Sequence, residues 1–477
     1  MSQNKNNEEQ VKLHHHVIAW SFIVAVAAIL VWVGSSQSAV EGILVQFSGT
    51  DGCVSEDGTG GECADGRALL GISSVAEPDE SSGHHVYVAS SGSNAVAAFY
   101  RANSSGVLAQ FSGTDGCVSE DGTGGECADG KALVGASFIA ASHDGRSIYV
   151  ASPGSDAVAV FARNRGAAGT IAQLSGTNGC VSEDGTGGEC ANGKALLGIS
   201  SMVISRNGKN VYVTSPDSNA IAVFARDRKA GVLTQLSGTN GCVSEDGTGG
   251  ECADGKALVG VNSVAISQDG KSVYAASPGS DAVAIFARND ETGALTQLSG
   301  TNGCVSEDGT GGECADGKAL VGANYVDAPR NDSSIYVASP GSSAIAAFAR
   351  DRKTGLINQL SGAKGCVSED GTGGECADGK ALVGVNFVVD STKDGRHIYT
   401  ISPTANSMAI FERNPKTSIL AQLSGTSGCV SEDGTGGECA DGKALLGANF
   451  AVTSPHGHNV YVASKLSNAI SIFTRPQ

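Results

Sequence analysis

Fourteen cysteines fall into seven pairs of the form Cys-x9-Cys, and each pair lies in a nearly constant stretch typified by GCVSEDGTGGECADGKAL, Gly241–Leu258. The pairs are Cys53 with Cys63, Cys117 with Cys127, Cys180 with Cys190, Cys242 with Cys252, Cys304 with Cys314, Cys366 with Cys376, and Cys429 with Cys439. Zinc asks for four ligands at closer spacing, such as Cys-x2–4-Cys. Two thiols nine residues apart with none left over predict local disulfides in an oxidising compartment. Closing a loop of this size should contribute about 2–3 kcal/mol.

Each stretch also carries four acids and one base, except that Asn192 replaces an Asp. A ring of carboxylates suggests an oxygen-liganded cation, with Ca²⁺ the first choice outside the cytoplasm. The candidate ligands are Asp57 and Glu62, Asp121 and Glu126, Asp184 and Glu189, Asp246 and Glu251, Asp308 and Glu313, Asp370 and Glu375, and Asp433 and Glu438. Their spacing matches no EF-hand loop. Two further acids, Asp327 and Asp390, stand where other repeats carry apolar residues. They read either as tolerated variation or as carboxylates near a central axis. Six histidines of the repeat region (His84, His85, His143, His397, His456 and His458) all fall between the first and second strands of their repeats. They read as exposed turn residues rather than general bases.

These residues need a scaffold. First cysteines recur every 62–64 residues, and removing the loop leaves 44 residues in the commonest repeat. That is the size of one four-stranded propeller blade, about 40–45 residues. In the fourth repeat the four strands read as Asn262–Ser267, Lys271–Ser277, Ala282–Arg288 and Ala294–Gly300, separated by Asp-Gly, Pro-Gly and Thr-Gly turns. The repeat region begins with an outer strand at Ile43 and ends with a third strand at Ala469–Arg475. Each end supplies what the other lacks, so a closed ring removes the open edge. The expected fold is an all-β seven-bladed propeller over 43–477, with Ile43–Ser48 completing the last blade against Ala469–Thr474.

The acidic loops should share one face of this disc, around the channel mouth. Nearly all other bases, such as Arg163, Arg226, Lys229, Lys271, Arg350 and Arg396, should lie in turns of the opposite face. A dipolar disc is therefore expected. The net charge is −18, with the acidity in the loops, and this excludes nucleic acid as a partner.

Ahead of the repeats lie a tail (1–16), an apolar run, VIAWSFIVAVAAILVWV (17–33), and a linker (34–42). Lys5 and Lys12 precede the run, and no Lys or Arg follows it until Arg67. This predicts an apolar helix serving as a cleaved signal or a membrane anchor, with an extracytoplasmic repeat region.

The stretch VAISQDGKSVYAASPGSDAVAIF, Val264–Phe286, resembles the repeat of the lactonase-like, YVTN-type seven-bladed propellers. The resemblance recurs in every blade. It implies the propeller fold, and it implies lactone hydrolysis as one activity, with no catalytic residue transferred. Seven near-identical acidic loops favour a binding or scaffold module for a cation or a repetitive extracellular partner. Lactone hydrolysis is the alternative.

Overall fold

The computed structural model describes residues 43–78, 84–166, 169–391 and 395–475. Seven six-stranded sheets are arranged around one axis. The apolar segment 17–33 and the tail before it lie outside the described residues, as does the helix expected there. Among the described residues there is no α-helix, and no helix is long and apolar enough to cross a membrane.

The fourth blade shows how one repeat folds. Its inner strand is Ser263–Ile266, its second Ser272–Ser277 and its third Ala282–Arg288. The β-branched and aromatic residues of these strands suit a pleated surface, and the second strand is buried along its whole length. The core lies between blades rather than within them. Tyr212, Ile221 and Val223 of the third blade pack against Val264, Val273 and Phe286 of the fourth.

The outer strand differs from expectation. It spans only Leu295–Gln297, which pairs with Phe286–Arg288 at the far end of the third strand. A tight turn, Gly300–Gly303, then steps out of register. Cys304–Ser306 resumes the pairing against Ala282–Ala284, and Ala315–Asp316 adds a short parallel strand outside it. The cysteine loop is therefore built into the outer edge of the blade. The seven loops form a rim rather than a crowd at the channel mouth.

The ring closes as the phases of its ends require. Val45 and Gln46 pair with Thr474 and Phe473, and Cys53–Ser55 pair with Ala469–Ser471 on the same strand. The first strand thus enters at the end of the last blade opposite its cysteine loop.

The expectation of a basic face is corrected in part. The arginines that end the third strands, Arg101, Arg163, Arg226, Arg288, Arg350 and Arg413, are only 2–7% exposed. They turn into the junction with the preceding blade. Arg288 Nε donates to Tyr212 Oη at 2.6 Å, and Tyr212 Oη donates to the Gly293 carbonyl at 2.8 Å. Arg163 with Tyr87, Arg226 with Tyr149 and Arg350 with Tyr274 repeat the arrangement. Partners so distant in sequence are adjacent only once the blades stack, so the sequence alone placed these charges in solvent.

Candidate functional site at the propeller axis

Inner strands line the axis in layers, and their register defines each layer. The layer nearest the cysteine loops holds Ser74, Phe138, Ser201, Ser263, Tyr325, Phe387 and Phe450. The four aromatic rings meet across the axis. Phe387 lies 4.2 Å from both Tyr325 and Phe450, and Phe138 meets Phe450 edge-on at 5.6 Å between centroids. The next layer holds Ala76, Ala140, Val203, Ala265, Asp327, Val389 and Val452. Asp327 is its one ionisable member. Beyond it, where the strands run into their turns, stand Glu77, His143 and Arg206. All of these residues except the buried Ser74, Ser201 and Ser263 line an axial cavity of about 310 Å³.

The charged groups in and behind this wall are strongly perturbed. Glu77 has a side chain only 1% exposed, 2.8 Å from Arg101 Nε. Burial pushes its carboxyl up to about 8 against the pull of that guanidinium. Asp327 is half-buried at the cavity wall. Burial, and then the neighbouring Asp390, raise its carboxyl well above the usual range, against Arg413 and Arg206. Its Oδ2 has no hydrogen-bond partner. Asp390 is buried, also raised by burial, and accepts from the Arg330 amide at 3.1 Å. His143 Nε2 lies 3.4 Å from the Ile204 carbonyl.

Asp327 lines the axial cavity, the sharper of its two sequence readings, whereas Asp390 is buried beside it and lies outside the cavity lining. The exposed-turn reading of the histidines fails for three of the six. His143 lines the cavity. His85 and His397 are buried, with their Nδ1 atoms 3.0 Å and 3.1 Å from Arg163 and Arg475. Glu77 and Arg206 were missed. A column-by-column comparison of the inner strands would have shown them as ionisable departures at the strand ends.

The rim carboxylates have local roles. In the fifth loop Glu307 Oε2 accepts from the Leu320 amide at 2.5 Å, and Asp308 Oδ1 accepts from the Thr310 amide at 2.8 Å. The equivalent Asp57, Asp121, Asp184, Asp246, Asp370 and Asp433 bond in the same way. Glu62 and Glu313 are exposed. Among the described residues no three His, Cys, Asp or Glu side chains are grouped as a metal site requires. All seven expected disulfides are formed.

No protein-family model matches the chain, and no curated protein matches it significantly. Solved structures do. The periplasmic gluconolactonase of Pseudomonas aeruginosa aligns over 78% of this chain and 86% of its own, at 16% identity and a TM-score of 0.51. A Bacteroides fragilis protein provisionally named a 6-phosphogluconolactonase aligns over 81% and 95%, at 16% identity and a TM-score of 0.50. The chain therefore has the fold of the lactonase-like seven-bladed β-propellers.

Proposed function

We propose that the axial pocket hydrolyses a small lactone. One observation carries this reading. A chain of seven near-copies departs from its own repeat along the axis, with His143, Arg206 and Asp327 at the cavity wall and the buried Glu77 and Asp390 carboxyls behind it. Acid–base chemistry needs such an asymmetric set of titratable groups in a concave, water-restricted site. Lactones are the substrates to test first, because one propeller of this fold is named a gluconolactonase.

In this mechanism Arg206 donates to the lactone carbonyl oxygen and stabilises the charge that develops there. His143 takes a proton from water as the water oxygen bonds to the acyl carbon. The bond from acyl carbon to ring oxygen then breaks. The departing alkoxide takes back the proton that His143 accepted, and the product is the open hydroxy acid. Seven disulfides fit an extracytoplasmic site for this activity.

The test is acid release from glucono-1,5-lactone at pH 6 against the uncatalysed rate. Turnover is expected, with His143→Gln lowering kcat by roughly 10²-fold. Folded protein that turns over no five- or six-membered lactone overturns the assignment.

A further inference from the structure

Exposed apolar side chains are unevenly spread over the disc. Of the ten large ones exposed among the described residues, seven occupy one repeat position: Leu70, Val134, Leu197, Val259, Val321, Val383 and Leu446, each 40–45% exposed. This position lies in the connection from the cysteine loop to the inner strand. Its backbone is tied to the turn between the second and third strands of the same blade. The Val259 amide donates to Ser280 Oγ at 3.1 Å, and the Val259 carbonyl accepts from the Gly279 amide at 3.1 Å. Leu466, 72% exposed, belongs to the corresponding turn of the last blade, and its amide donates to the Leu446 carbonyl. Eight of the ten therefore share the cysteine-loop face, whereas apolar residues scattered singly would fall on both.

Between the second and third blades, two of these residues, Val134 and Leu197, stand in a groove of about 470 Å³. Its remaining wall carries Glu120, Asp156, Glu183, Asp184 and Glu189 against one base, Lys131. Glu183 Oε2 accepts from the Leu196 amide and Asp156 Oδ1 from the Gly198 amide, both at 2.6 Å. Backbone amides thus fix these carboxylates without cancelling their charge. Lys131 Nζ donates to the Glu189 carbonyl at 2.6 Å, and among the described residues none of the five acids belongs to an ion pair. Aliphatic surface beside carboxylates suits a lysine or arginine side chain, whose stem packs on the apolar wall while its cationic head meets the acids. A second copy would present the same acidic face, and anionic lipid would be repelled by it.

We infer that the grooves between blades on the cysteine-loop face dock a basic polypeptide segment, with one lysine or arginine side chain to a groove. The loop sequence repeats at every junction, so a segment that reaches several grooves gains affinity from each. This face lies at the opposite end of the disc from His143 and Arg206, and the proposal does not depend on the hydrolytic reading.

The experiment is titration calorimetry of the full chain with octalysine at physiological salt. Binding is expected. Val134→Ser, with serine also at its six equivalents, should weaken it by roughly five- to tenfold. An octamer of 2,4-diaminobutyrate carries the same charge on shorter stems, and it should bind the wild type more weakly by a similar factor. That second arm holds even if the serine variant fails to fold. Equal affinity of wild type and folded serine variant for octalysine, or equal affinity of the wild type for both peptides, leaves only diffuse charge attraction and overturns the docking site. Absence of octalysine binding overturns it as well. Self-association of the wild type in sedimentation velocity that the serine substitutions abolish would assign the grooves to a second copy instead.

Discussion

Glu77 is where a single residue controls the behaviour of the whole domain. In an unfolded chain its carboxyl titrates near 4.5, and in the fold burial raises it to about 8. Between these values the native state keeps a proton that the unfolded state has released. Stability therefore falls as pH rises across that window, by up to about 1.4 kcal/mol for each unit crossed. Melting temperatures measured from pH 5 to pH 8 should decline in the wild type and flatten in Glu77→Gln. Coincident slopes for the two proteins would mean that Glu77 is already ionised in the fold. Nothing within its own segment, AEPDESSGHH, announces this role, because the first repeat lacks the usual Asp-Gly turn there. Arg101, brought in by the third strand of the same blade, lies against the buried carboxyl, with Tyr461 of the neighbouring blade also nearby.

At the scale of the element, the cysteine loop is a clamp with several fastenings. Gln297 bonds the Gly303 carbonyl at 3.0 Å and, across the junction, both the amide and the carbonyl of Lys256 at 2.9 Å. Lys256 Nζ reaches the Glu313 carbonyl of the next loop at 2.8 Å, and Lys194 and Lys443 bridge their own junctions in the same way. The loops are thus linked around the rim. Converting both Cys242 and Cys252 to Ser should cost about 2–3 kcal/mol through loop entropy alone. Denaturant unfolding of that variant under non-reducing conditions measures it. A cost below about 0.5 kcal/mol would show that the hydrogen bonds already hold the loop. The expected outer strand, Ala294–Gly300, breaks after Gln297 because Ser-Gly-Thr-Asn-Gly forms a tight turn. Four of its seven residues therefore fall outside the strand.

For the whole molecule, closure is the weak point, since one blade is assembled from both ends of the chain. Gln46 repeats the role of Gln297 there, accepting from the Lys443 amide at 2.8 Å and donating to the Lys443 and Gly52 carbonyls at 3.0 Å. Removing the chain through Gln46 would free the edge of Ile472–Thr474 for pairing with another chain. That variant should melt well below a Gln297→Ala variant, whose lost bonds cost about 1–3 kcal/mol. It should also associate with rising concentration in sedimentation velocity. A monomer with an unchanged melting temperature would show that the ring does not depend on its first strand.

The architecture was legible because it repeats. Period, strand phase and cysteine pairing are properties of one repeat read seven times, and the incomplete ends at Ile43 and Arg475 required a circle. Most of the site was not legible, because it belongs to no single repeat. Asp327 and Asp390 stood out against their columns, yet their meaning depended on how far each strand end lies from the axis. The axial aromatics and the Arg–Tyr junctions join residues from different blades, which come together only when blades stack. A local pattern can specify a blade, since its strands pair with near neighbours in the chain. Burial and charge environment at the axis are sums over all seven blades, and only the closed ring decides them.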